Sequence, residues 1–315
     1  MITTVTLNAS IDKAYFMDSR IENGTVMRVA SCRNTAGGKG LNVARIIKLC
    51  GENVQAAGLA GGFNGAYLES MLERDGISRQ FVHIQGETRS CINILDEGYG
   101  STEYLEPGCP VTKEEEEAFL KRFPEIIKDS EVVTISGSVP QGVSKDIYEK
   151  MIRCTKEAGR KVILDTSGEL LKNGLKACPD MVKPNKDEIE ALFGIQVNGF
   201  EDVVSYAGKI YGMGIPYVVI SLGKDGALLV CSEGIFQGRP PEVKAVNTVG
   251  CGDSMVGAFA VALERNYGPQ EALKFAVATA TAAALSPGTG SFEESVQQEL
   301  AGRIQIETIE SKVRI

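Results

Sequence analysis

Strand-like and helix-like segments alternate along most of this chain of 315 residues. Short apolar runs such as ITTVTL (2–7), EVVTISGS (131–138) and PYVVISLG (216–223) are typical of buried strands. Between the strands lie segments with apolar residues at helical spacing, for example GLNVARIIKLCG (40–51). Because parallel strands need long crossovers, the alternation predicts an α/β fold with a parallel-rich central sheet and helices on both faces.

The same criteria predict further elements of both kinds. The additional strands are expected at 54–61, 161–168 and 226–232, and the additional helices at 64–75, 111–129, 145–159, 186–194, 202–214, 252–265 and 270–284.

Two stretches, 10–35 and 88–107, break the alternation with short β-prone runs and turns. The segment CINILDEGYGSTEYLEP contains a hairpin signal, because EGYG lies between apolar or β-prone runs. We expect these two stretches to form a small separate β-sheet that serves as a lid over a site or as a dimer surface.

Charge and cysteine content narrow the class of protein. The net charge of −8 gives no basic footprint for nucleic acid, so we expect no nucleic-acid partner. No apolar window is long enough to span a membrane, and the eight cysteines form no C-x-x-C pair. We therefore expect a cytoplasmic protein with reduced thiols and no membrane contact.

The segment NTVGCGDSMVGAF (247–259) places three glycines and an acid directly before an apolar helix. A glycine turn at a helix start points backbone N–H groups at one place, where the helix dipole adds positive charge. We expect Gly250, Cys251 and Gly252 to form an anion hole, and Asp253 to act as a base toward an attacking hydroxyl. The alternative is that Asp253 only caps the helix. Neither G-x-x-x-x-G-K-[ST] nor a dinucleotide fingerprint occurs in the chain.

The segment AGGKGLNVA (36–44) is a second glycine-rich helix start. Gly37 and Gly38 open the helix beside Lys39, with Asn42 one turn further on, so a second anion can bind there. The alternative is a tight turn with a surface lysine. Two such helix starts in one chain favour a reaction that handles two anionic groups.

The segment VKPNKDEIEAL (182–192) places Asn185 and Glu188 three residues apart at a helix start. Together they can orient water on Mg²⁺ beside phosphates. The alternative is a capping box, in which Asn185 caps the helix and Glu188 is the third helical residue.

Single charged residues in the stretches expected to form the small sheet are further candidates for substrate binding. Arg28 and Arg89 suit bidentate phosphate binding, although edge-strand cations also protect a sheet from aggregation. Asp12, after a predicted strand, is suited to accept hydrogen bonds from sugar hydroxyls, but it is equally compatible with a turn. His83 is the only histidine, and we expect it to be structural.

These motifs, in this order, resemble those of the ribokinase-like PfkB family of sugar kinases over nearly the whole chain. The segments TLNASID, AGGKGLNVAR, SGSVPQG (136–142), KPNKDE, SLGKDGAL (221–228) and NTVGCGDSMVGAF carry the resemblance. Cys251 departs from the usual Ala or Ser of the last motif, which a turn that uses the backbone N–H tolerates. The group most similar comprises 1-phosphofructokinases, tagatose-6-phosphate kinases and the minor 6-phosphofructokinase, and its TR-x-x-x-N pattern matches Thr88, Arg89 and Asn93.

The resemblance implies one ribokinase-like domain over residues 1–315, with 10–35 and 88–107 as a β lid, and a homodimer formed through that lid. It also implies a role for each candidate residue. Asp253 is the base beside the Gly250–Gly252 anion hole; Asp12, Gly37, Gly38 and Asn42 hold sugar hydroxyls; Arg28, Lys39, Arg89 and Ser138 hold the phosphate that the substrate already carries; Lys183, Asn185, Ser221, Gly223 and Gly226 line the ATP site; and Asn185 and Glu188 organise Mg²⁺.

The expected activity is therefore a Mg²⁺-dependent transfer from ATP to a ketohexose monophosphate. Fructose 1-phosphate is the first expected acceptor, and tagatose 6-phosphate and fructose 6-phosphate are the alternatives within the family. A non-catalytic sugar-phosphate-binding regulator is the alternative of another class, and a nucleotide-binding oxidoreductase is disfavoured by the missing fingerprint.

Overall fold

The computed structural model describes residues 1–98 and 100–310, which form fourteen strands and ten helices. The strands are β1 (Ile2–Thr6), β2 (Ser10–Phe16), β3 (Ser31–Gly37), β4 (Val54–Gly61), β5 (Ser78–Ile84), β6 (Arg89–Asp96), β7 (Gly100–Leu105), β8 (Val132–Ser136), β9 (Lys161–Asp165), β10 (Met181–Val182), β11 (Tyr217–Ser221), β12 (Ala227–Cys231), β13 (Gly234–Arg239) and β14 (Gln305–Thr308). The helices are α1 (Lys39–Leu49), α2 (Gly62–Arg74), α3 (Lys113–Ile126), α4 (Ile147–Glu157), α5 (Gly168–Leu175), α6 (Lys186–Phe193), α7 (Phe200–Tyr211), α8 (Cys251–Glu264), α9 (Pro269–Leu285) and α10 (Glu294–Arg303).

Ten strands form one large sheet in the order β14-β13-β12-β11-β10-β9-β8-β1-β4-β5. The strands from β11 to β5 in this order pair in parallel, whereas β12, β13 and β14 form an antiparallel edge. The predicted α/β fold with a parallel-rich sheet is confirmed. In such a sheet, the carboxyl ends of the parallel strands share one edge, where ligands bind.

Helices cover both faces of the large sheet and bury two apolar clusters. On one face, Leu41 of α1, Phe259 of α8 and Leu273 of α9 pack together. On the other face, Phe119 of α3 and Tyr148 of α4 belong to the second cluster. Each large side chain of this kind contributes about 1.5–3 kcal/mol when fully buried. This packing fixes the helices, and with them the helix ends that face the site.

Helix α8 is buried along almost its whole length, between the large sheet and neighbouring helices. Every residue from Asp253 to Leu263 is buried. A helix that is apolar on all sides needs such a position, because no face of it is suited to water. Asp253 is the one acidic residue in this buried run, so its position cannot be explained by solvation.

Four strands form a second, smaller sheet in the order β3-β2-β6-β7. They come from the two stretches that interrupt the predicted alternation. Strand β2 pairs antiparallel with β3 and parallel with β6, and β6 pairs antiparallel with β7. At the end nearest the large sheet, Ser10 lies opposite both Gly37 and Arg89, so one end of the small sheet adjoins the start of α1.

Within residues 1–98 and 100–310, no helix combines the length and the apolar character that crossing a membrane requires. All eight cysteines are free thiols.

Candidate active site

Three neighbouring parallel strands end beside each other at the centre of the large sheet. Strands β1, β8 and β9 end at Thr6, Ser136 and Asp165, and the register pairs Ser136 with Asp165. All three side chains are buried. The first residues of α1 and α8 lie against the same edge, so two helix N-termini face these polar side chains. The structure therefore assembles the two glycine-rich helix starts into one site.

Asp253 lies in the first turn of α8 and is 5% exposed. Its Oδ2 accepts a hydrogen bond of 2.7 Å from Nδ2 of Asn42 on α1. Burial raises the pKa of Asp253 to about 6, against the opposing effects of Lys39 and of the Asn42 hydrogen bond. A carboxyl with this pKa is mostly ionised at neutral pH, yet it is a stronger base than a solvated aspartate.

The turn before α8 depends on Gly250, which has φ of 81° and precedes the first helical residue. A Cβ there would lie 2.7 Å from Cγ2 of Thr289, so only glycine fits. The N–H groups of Cys251 and Gly252 belong to the first helical residues, which have no acceptor four residues back within the helix. The Cys251 N–H makes one long bond of 3.4 Å to the Thr248 carbonyl. Burial and the Asp253 charge raise the pKa of the Cys251 thiol to about 11, so its side chain is neutral.

A buried carboxylate lies between two lysines at the centre of the site. Nζ of Lys183 is 3.2 Å from Oδ1 of Asp165, and Nζ of Lys39 is 3.5 Å from Oδ2. Burial would raise the pKa of Asp165, but Lys183 and Lys39 hold it below its ordinary value. Burial would lower the pKa of Lys39, but Asp165, Asp253 and Glu188 raise it above its ordinary value. Asp165 and Lys39 therefore each favour the charged form of the other.

Two cavities open at this edge of the sheet. The larger has a volume of about 510 Å³ and lies between the small sheet, α1 and the Gly288–Ser291 loop. The smaller has a volume of about 200 Å³ and lies over the ends of β1, β8 and β9. Gly38, Lys39 and Arg89 line both cavities, so these residues form the junction between them.

Asp12 lines the larger cavity on β2, as its predicted role requires. Its Oδ1 accepts a hydrogen bond of 2.6 Å from Oγ of Ser10, and burial raises its pKa. Gly37 lies beside it on β3, where a Cβ would come within 2.0 Å of the Asp12 carboxyl group. Asn42 also lines this cavity. The structure thus brings together Asp12, Gly37, Gly38 and Asn42.

Arg89 and Ser138 lie at the smaller cavity with Lys39. The Arg89 guanidinium donates to the Asn8 carbonyl through Nε and Nη2, at 3.2 and 3.0 Å, and to the Glu106 carbonyl through Nη1, at 2.7 Å. These bonds use part of its five N–H groups and fix its position. Ser138 Oγ accepts from Nδ2 of Asn8 at 3.3 Å.

Arg28 is not brought to either cavity. It lies exposed in the segment between β2 and β3, and it lines neither the larger nor the smaller cavity. The sequence places Arg89, but not Arg28, in the TR-x-x-x-N pattern, and in the structure Arg89 begins β6 beside Ser10 whereas Arg28 lies between β2 and β3. The phosphate-binding role expected for Arg28 therefore has no support within a single chain.

Comparison with known proteins agrees with this geometry. The family model described as pfkB family carbohydrate kinase matches residues 5–295. This chain belongs to the pfkB family of carbohydrate kinases. It is 37% identical over 309 residues to a tagatose-6-phosphate kinase of Staphylococcus epidermidis, covering 97% of this chain and 99% of the relative. It is 34% identical over 300 residues to the 1-phosphofructokinase of Bacillus subtilis, covering 95% and 97%.

The fold is also that of a solved kinase. The structure of phosphofructokinase-2 from Escherichia coli in complex with potassium matches with a TM-score of 0.90 and 34% identity, covering 96% of this chain and 98% of that chain. This pfkB kinase is therefore a phosphotransferase that uses ATP, and its predicted family and reaction class are confirmed.

The expected nucleotide residues of this kinase lie along the next strands of the same edge. Lys183 follows β10, and Asn185 forms an isolated parallel bridge with Ser221 at the end of β11. Gly223 begins a short 3₁₀ turn with φ of 61°, and no atom lies within 4 Å of the Cβ position there. At Gly226, by contrast, a Cβ would lie 1.9 Å from the Gly238 carbonyl oxygen. Gly226 is thus required by the β12–β13 packing itself.

Asn185 and Glu188 form a complete capping box at the start of α6. The Asn185 side chain accepts from the Glu188 N–H at 2.8 Å, and Glu188 Oε2 accepts from the Asn185 N–H at 2.9 Å. Glu188 Oε1 has no hydrogen-bond partner among the described residues. The negative charge of Glu188 helps to raise the pKa of Lys39. The capping box, which was the alternative interpretation of this motif, is therefore formed. It leaves one carboxylate oxygen of Glu188 available to a ligand.

This donor set fits a divalent cation such as Mg²⁺, which prefers oxygen ligands and usually keeps several waters beside one or two carboxylates and substrate phosphates. In the described part of the chain, no group of three or more His, Cys, Asp or Glu side chains forms a metal cage. A cation held here would share its coordination with phosphate and water, through Asn185 and Glu188.

Three features of the site were not predicted as site residues from the sequence. Asp165 was expected at the strand ends where ligands bind, but no motif gave it a role, and only the fold places it between two lysines. Thr6 and Ser136 line the smaller cavity with buried hydroxyls that lack a partner among the described residues. Arg45 lies one turn beyond Asn42 and bonds to it. For Arg45, helical spacing after Asn42 is a signal that the sequence does carry.

Proposed function

We propose that this kinase transfers the γ-phosphoryl group of ATP to a primary hydroxyl of a ketohexose monophosphate. Fructose 1-phosphate, converted to fructose 1,6-bisphosphate, is the first candidate acceptor. Tagatose 6-phosphate is the second, because a relative named as a tagatose-6-phosphate kinase shares 37% identity over almost the full chain. Fructose 6-phosphate is a further alternative in the same family. The observation that carries the proposal is the buried Asp253 carboxylate at a helix start that faces a basic, two-part cavity.

Asp253 is the proposed general base. Its carboxylate lies among groups that hold it in place, and its pKa of about 6 suits removal of a proton at neutral pH. It takes the proton of the acceptor hydroxyl as the oxygen attacks the γ-phosphorus. General-base catalysis of this kind typically accounts for about 10²–10⁴-fold in rate.

The start of α8 is the proposed anion hole for the migrating phosphoryl group. The backbone N–H groups of Gly250, Cys251 and Gly252 lie at the positive end of the helix dipole, next to the base. A Cβ at Gly252 would lie 3.4 Å from Nζ of Lys183, so that ammonium lies beside the same turn. Negative charge that spreads over the phosphoryl oxygens in the transition state is stabilised by these fixed donors.

The smaller cavity is the proposed site for the phosphate that the acceptor already carries. Lys39, Arg89 and Ser138 supply donors, and the unpartnered hydroxyls of Thr6 and Ser136 point to the need for a polar occupant. Each charge-assisted hydrogen bond contributes about 1.5–3 kcal/mol. An unphosphorylated sugar leaves these donors unpaired and is therefore a poor acceptor.

The larger cavity is the proposed site for the sugar hydroxyls. Asp12 accepts hydrogen bonds from the hydroxyls. Gly37 and Gly38 have no side chain, so the sugar can approach the backbone N–H groups closely. Asn42 contacts both this cavity and Asp253, so it links acceptor binding to the base.

The edge lined by Lys183, Asn185, Ser221 and Gly223 is the proposed ATP site, with Gly226 holding the turn in shape. Asn185 and Glu188 are the residues proposed to hold Mg²⁺. When bound, the metal neutralises charge on the phosphates of ATP.

The alternative of another class is a regulator that binds a sugar phosphate without catalysis. Two features argue against it. The Asp253 carboxylate is buried and has a raised pKa, and the buried Asp165 carboxylate forms ion pairs with buried Lys183 and with the more exposed Lys39. A binding protein has no need for a desolvated carboxylate, which costs free energy of folding.

We also propose a cytoplasmic homodimer that forms through the small sheet. Its edge strand β7 carries Tyr104 and Leu105, which are 60% and 65% exposed. An exposed apolar sheet edge favours pairing with a second chain. The eight free cysteines suit a reducing compartment.

An acceptor panel tests the proposed activity. ADP release is measured with ATP, Mg²⁺ and fructose 1-phosphate, tagatose 6-phosphate, fructose 6-phosphate, fructose or a nucleoside. We expect a phosphorylated ketohexose to give the highest kcat/KM, with fructose lower by at least about 10²-fold. Turnover of only unphosphorylated acceptors would refute the phosphate site, and binding without ADP release would favour the regulator.

A further inference from the structure

Arg45 is a half-buried cation next to the site that the mechanism above does not use. It lies on α1 and lines the larger cavity. Its guanidinium makes two hydrogen bonds to different elements. Nη1 donates to the carbonyl of Ala36 near the end of β3, and Nη2 donates to Oδ1 of Asn42.

The second of these bonds determines which way the Asn42 amide points. A guanidinium only donates hydrogen bonds, and a carboxylate only accepts them. Asn42 lies between the two, with Oδ1 on Arg45 and Nδ2 donating to Asp253 at 2.7 Å. Only this orientation of the amide satisfies both neighbours. The NH₂ group of Asn42 is thereby directed at the base.

The glycine loop after α9 holds the guanidinium in this position. Gly290 has φ of 65°, and a Cβ there would lie 3.2 Å from both Nε and Nη2 of Arg45. It would also lie 3.3 Å from Cα of Asn42. The loop therefore covers Arg45 and Asn42 closely, and a flexible replacement for the fork of Arg45 cannot reproduce the two bonds at once.

We propose that Arg45 is a positioning residue for catalysis, which locks the Asn42 amide in the orientation that holds the Asp253 carboxylate for proton removal. The inference rests on the base role proposed for Asp253. Arg45 need not touch the substrate, because it acts through Asn42. The bond to Ala36 anchors this chain of contacts to the strand that carries the first residues of the AGGKG turn.

Several charged groups surround Asp253 and Arg45, the two ends of this series of hydrogen bonds. Around Asp253 these are Lys39, Asp165 and Lys183, from α1, β9 and the segment after β10. Around Arg45 they are Asp12, Asp75, Asp253 and Arg33, from β2, the end of α2, α8 and β3. Removing the Arg45 guanidinium also removes a positive charge that interacts with Asp253. A change in the titration of the base is therefore assigned to the Asn42 contact only where Arg45→Lys, which keeps the charge, shows it as well.

Steady-state kinetics of Arg45→Gln and Arg45→Lys test the proposal, with the acceptor that is best in the panel. We expect kcat to fall by about 10–100-fold in both variants, as for other residues that orient a reactive group, with the KM for ATP within about 2-fold of wild type. The acidic limb of the kcat/KM profile moves to higher pH, because an amide no longer directed at the carboxylate stabilises its ionised form less. Arg45→Lys keeps the charge and separates orientation from electrostatics.

Two controls exclude a general structural effect. Arg265, far from the site, also bonds a backbone carbonyl and a side chain, Cys50 and Glu52. Arg265→Gln is expected to leave kcat and the pH profile unchanged. Thermal unfolding of each variant shows whether it is folded at the assay temperature.

A double-mutant cycle with Asn42→Ala supplies the decisive comparison. If Arg45 acts through Asn42, Arg45→Gln has less than about 2-fold effect in the Asn42→Ala background. An equal effect in both backgrounds, full activity of Arg45→Lys, or an unmoved acidic limb in a folded Arg45→Gln protein would each overturn the inference. If Asp253→Asn is inactive while Arg45→Gln equals wild type, only the role of Arg45 fails. If Asp253→Asn is active, the proposed function itself fails.

Discussion

Asp253 lies in a position that disfavours its charge. It is buried within an apolar helix, and its neighbours compensate its desolvation only in part, so its pKa is about 6 rather than 3.8. A group whose folded pKa is raised contributes most to stability at low pH, and this contribution is lost as the pH rises through the folded pKa. At neutral pH, the folded protein therefore carries the free-energy cost of an ionised buried carboxylate.

Replacing Asp253 by Asn is expected to stabilise the protein while it abolishes the base. About two pKa units correspond to roughly 3 kcal/mol, a net value that already includes the attraction to Lys39, so we expect a gain of about 1–3 kcal/mol at pH 7. Chemical denaturation at pH 7 and pH 4 measures it. The gain should shrink at pH 4, where the wild-type group is protonated in the fold. A loss of stability at pH 7 would contradict the assigned environment.

Asn185 combines a structural role with a proposed functional one, and two substitutions separate them. Serine also caps helices well, whereas alanine does not. We expect Asn185→Ala to lose about 1 kcal/mol of stability and Asn185→Ser to lose a few tenths. Both should raise the Mg²⁺ concentration needed for half-maximal activity. If Asn185→Ser keeps the wild-type Mg²⁺ dependence, Asn185 is a cap alone.

Among the elements, the turn between β11 and β12 contains two glycines that differ in how closely other atoms pack against them. Gly226 joins the 3₁₀ turn to β12, with φ of 84° and ψ of −124°, and it packs against the Gly238 carbonyl. Gly223, at the other end of the turn, has φ of 61° and faces open space. The motif SLGKDGAL does not distinguish the two glycines, but in the structure only Gly226 packs closely against another backbone group.

The alanine variants of these two glycines are therefore expected to differ. Gly226→Ala combines a backbone conformation that only glycine adopts with a steric clash, so we expect a loss of roughly 2–5 kcal/mol. Gly223→Ala should cost about 1–2 kcal/mol and raise the KM for ATP. Unfolding free energies and ATP titrations measure both effects. Equal stability losses would refute the distinction.

The elements that the sequence predicts well are those with a long, regular pattern. Helix α3 was expected at 111–129 and occupies Lys113–Ile126, with Thr112 and Glu115 forming its capping box. The two irregular stretches were expected to hold a small sheet, and they contain its four strands.

Other elements were not predicted, and their patterns explain why. Strand β5 has exposed polar residues in its first half and so lacks a continuous apolar run. Helix α5 spans only 8 residues and contains two glycines, so the predicted strand 161–168 was extended into its start. Strand β14 is almost fully exposed and is defined by its pairing with β13 rather than by its sequence.

The same limit applies to the site. Motifs identify the groups that begin helices, such as Lys39, Asn42 and Asp253, because helix starts have local signatures. They do not identify Asp165, whose role depends on two lysines that are distant in sequence. They also propose Arg28, which lies exposed in the segment between β2 and β3 and lines neither cavity of the single chain, so its role stays a prediction.

In the whole molecule, the larger cavity forms a cleft between the small sheet, α1 and the Gly288–Ser291 loop. The small sheet contributes Asp12 and Arg89 to the cleft, and Asp253 on α8 lies behind Asn42, which lines the cleft and donates a hydrogen bond to it. Among residues 1–98 and 100–310, β3 and β7 each pair on one side only, so both outer strands of the small sheet are edges within the described chain. Association through this sheet would cover an apolar edge and keep the cleft in shape.

Sedimentation velocity tests this assembly. We expect the wild-type chain to sediment as a dimer of the 33.7 kDa chain, and Tyr104→Asp to shift it to a monomer, because a charge on the paired edge disfavours strand pairing. Met213→Asp, at an exposed position after α7, is the control and should remain a dimer. A wild-type monomer at micromolar concentration would refute association through the small sheet.

The proposed removal of the acceptor proton by the Asp253 carboxylate is tested by kinetics against pH. The measurement is kcat/KM for the best ketohexose phosphate from pH 5 to 8, for the wild type and Asp253→Asn. We predict an acidic limb near pH 6 in the wild type, since kcat/KM reports the free enzyme. We predict that kcat falls by about 10²–10⁴-fold in the variant, with little change in KM. A folded Asp253→Asn protein with wild-type kcat and the same acidic limb would contradict the account.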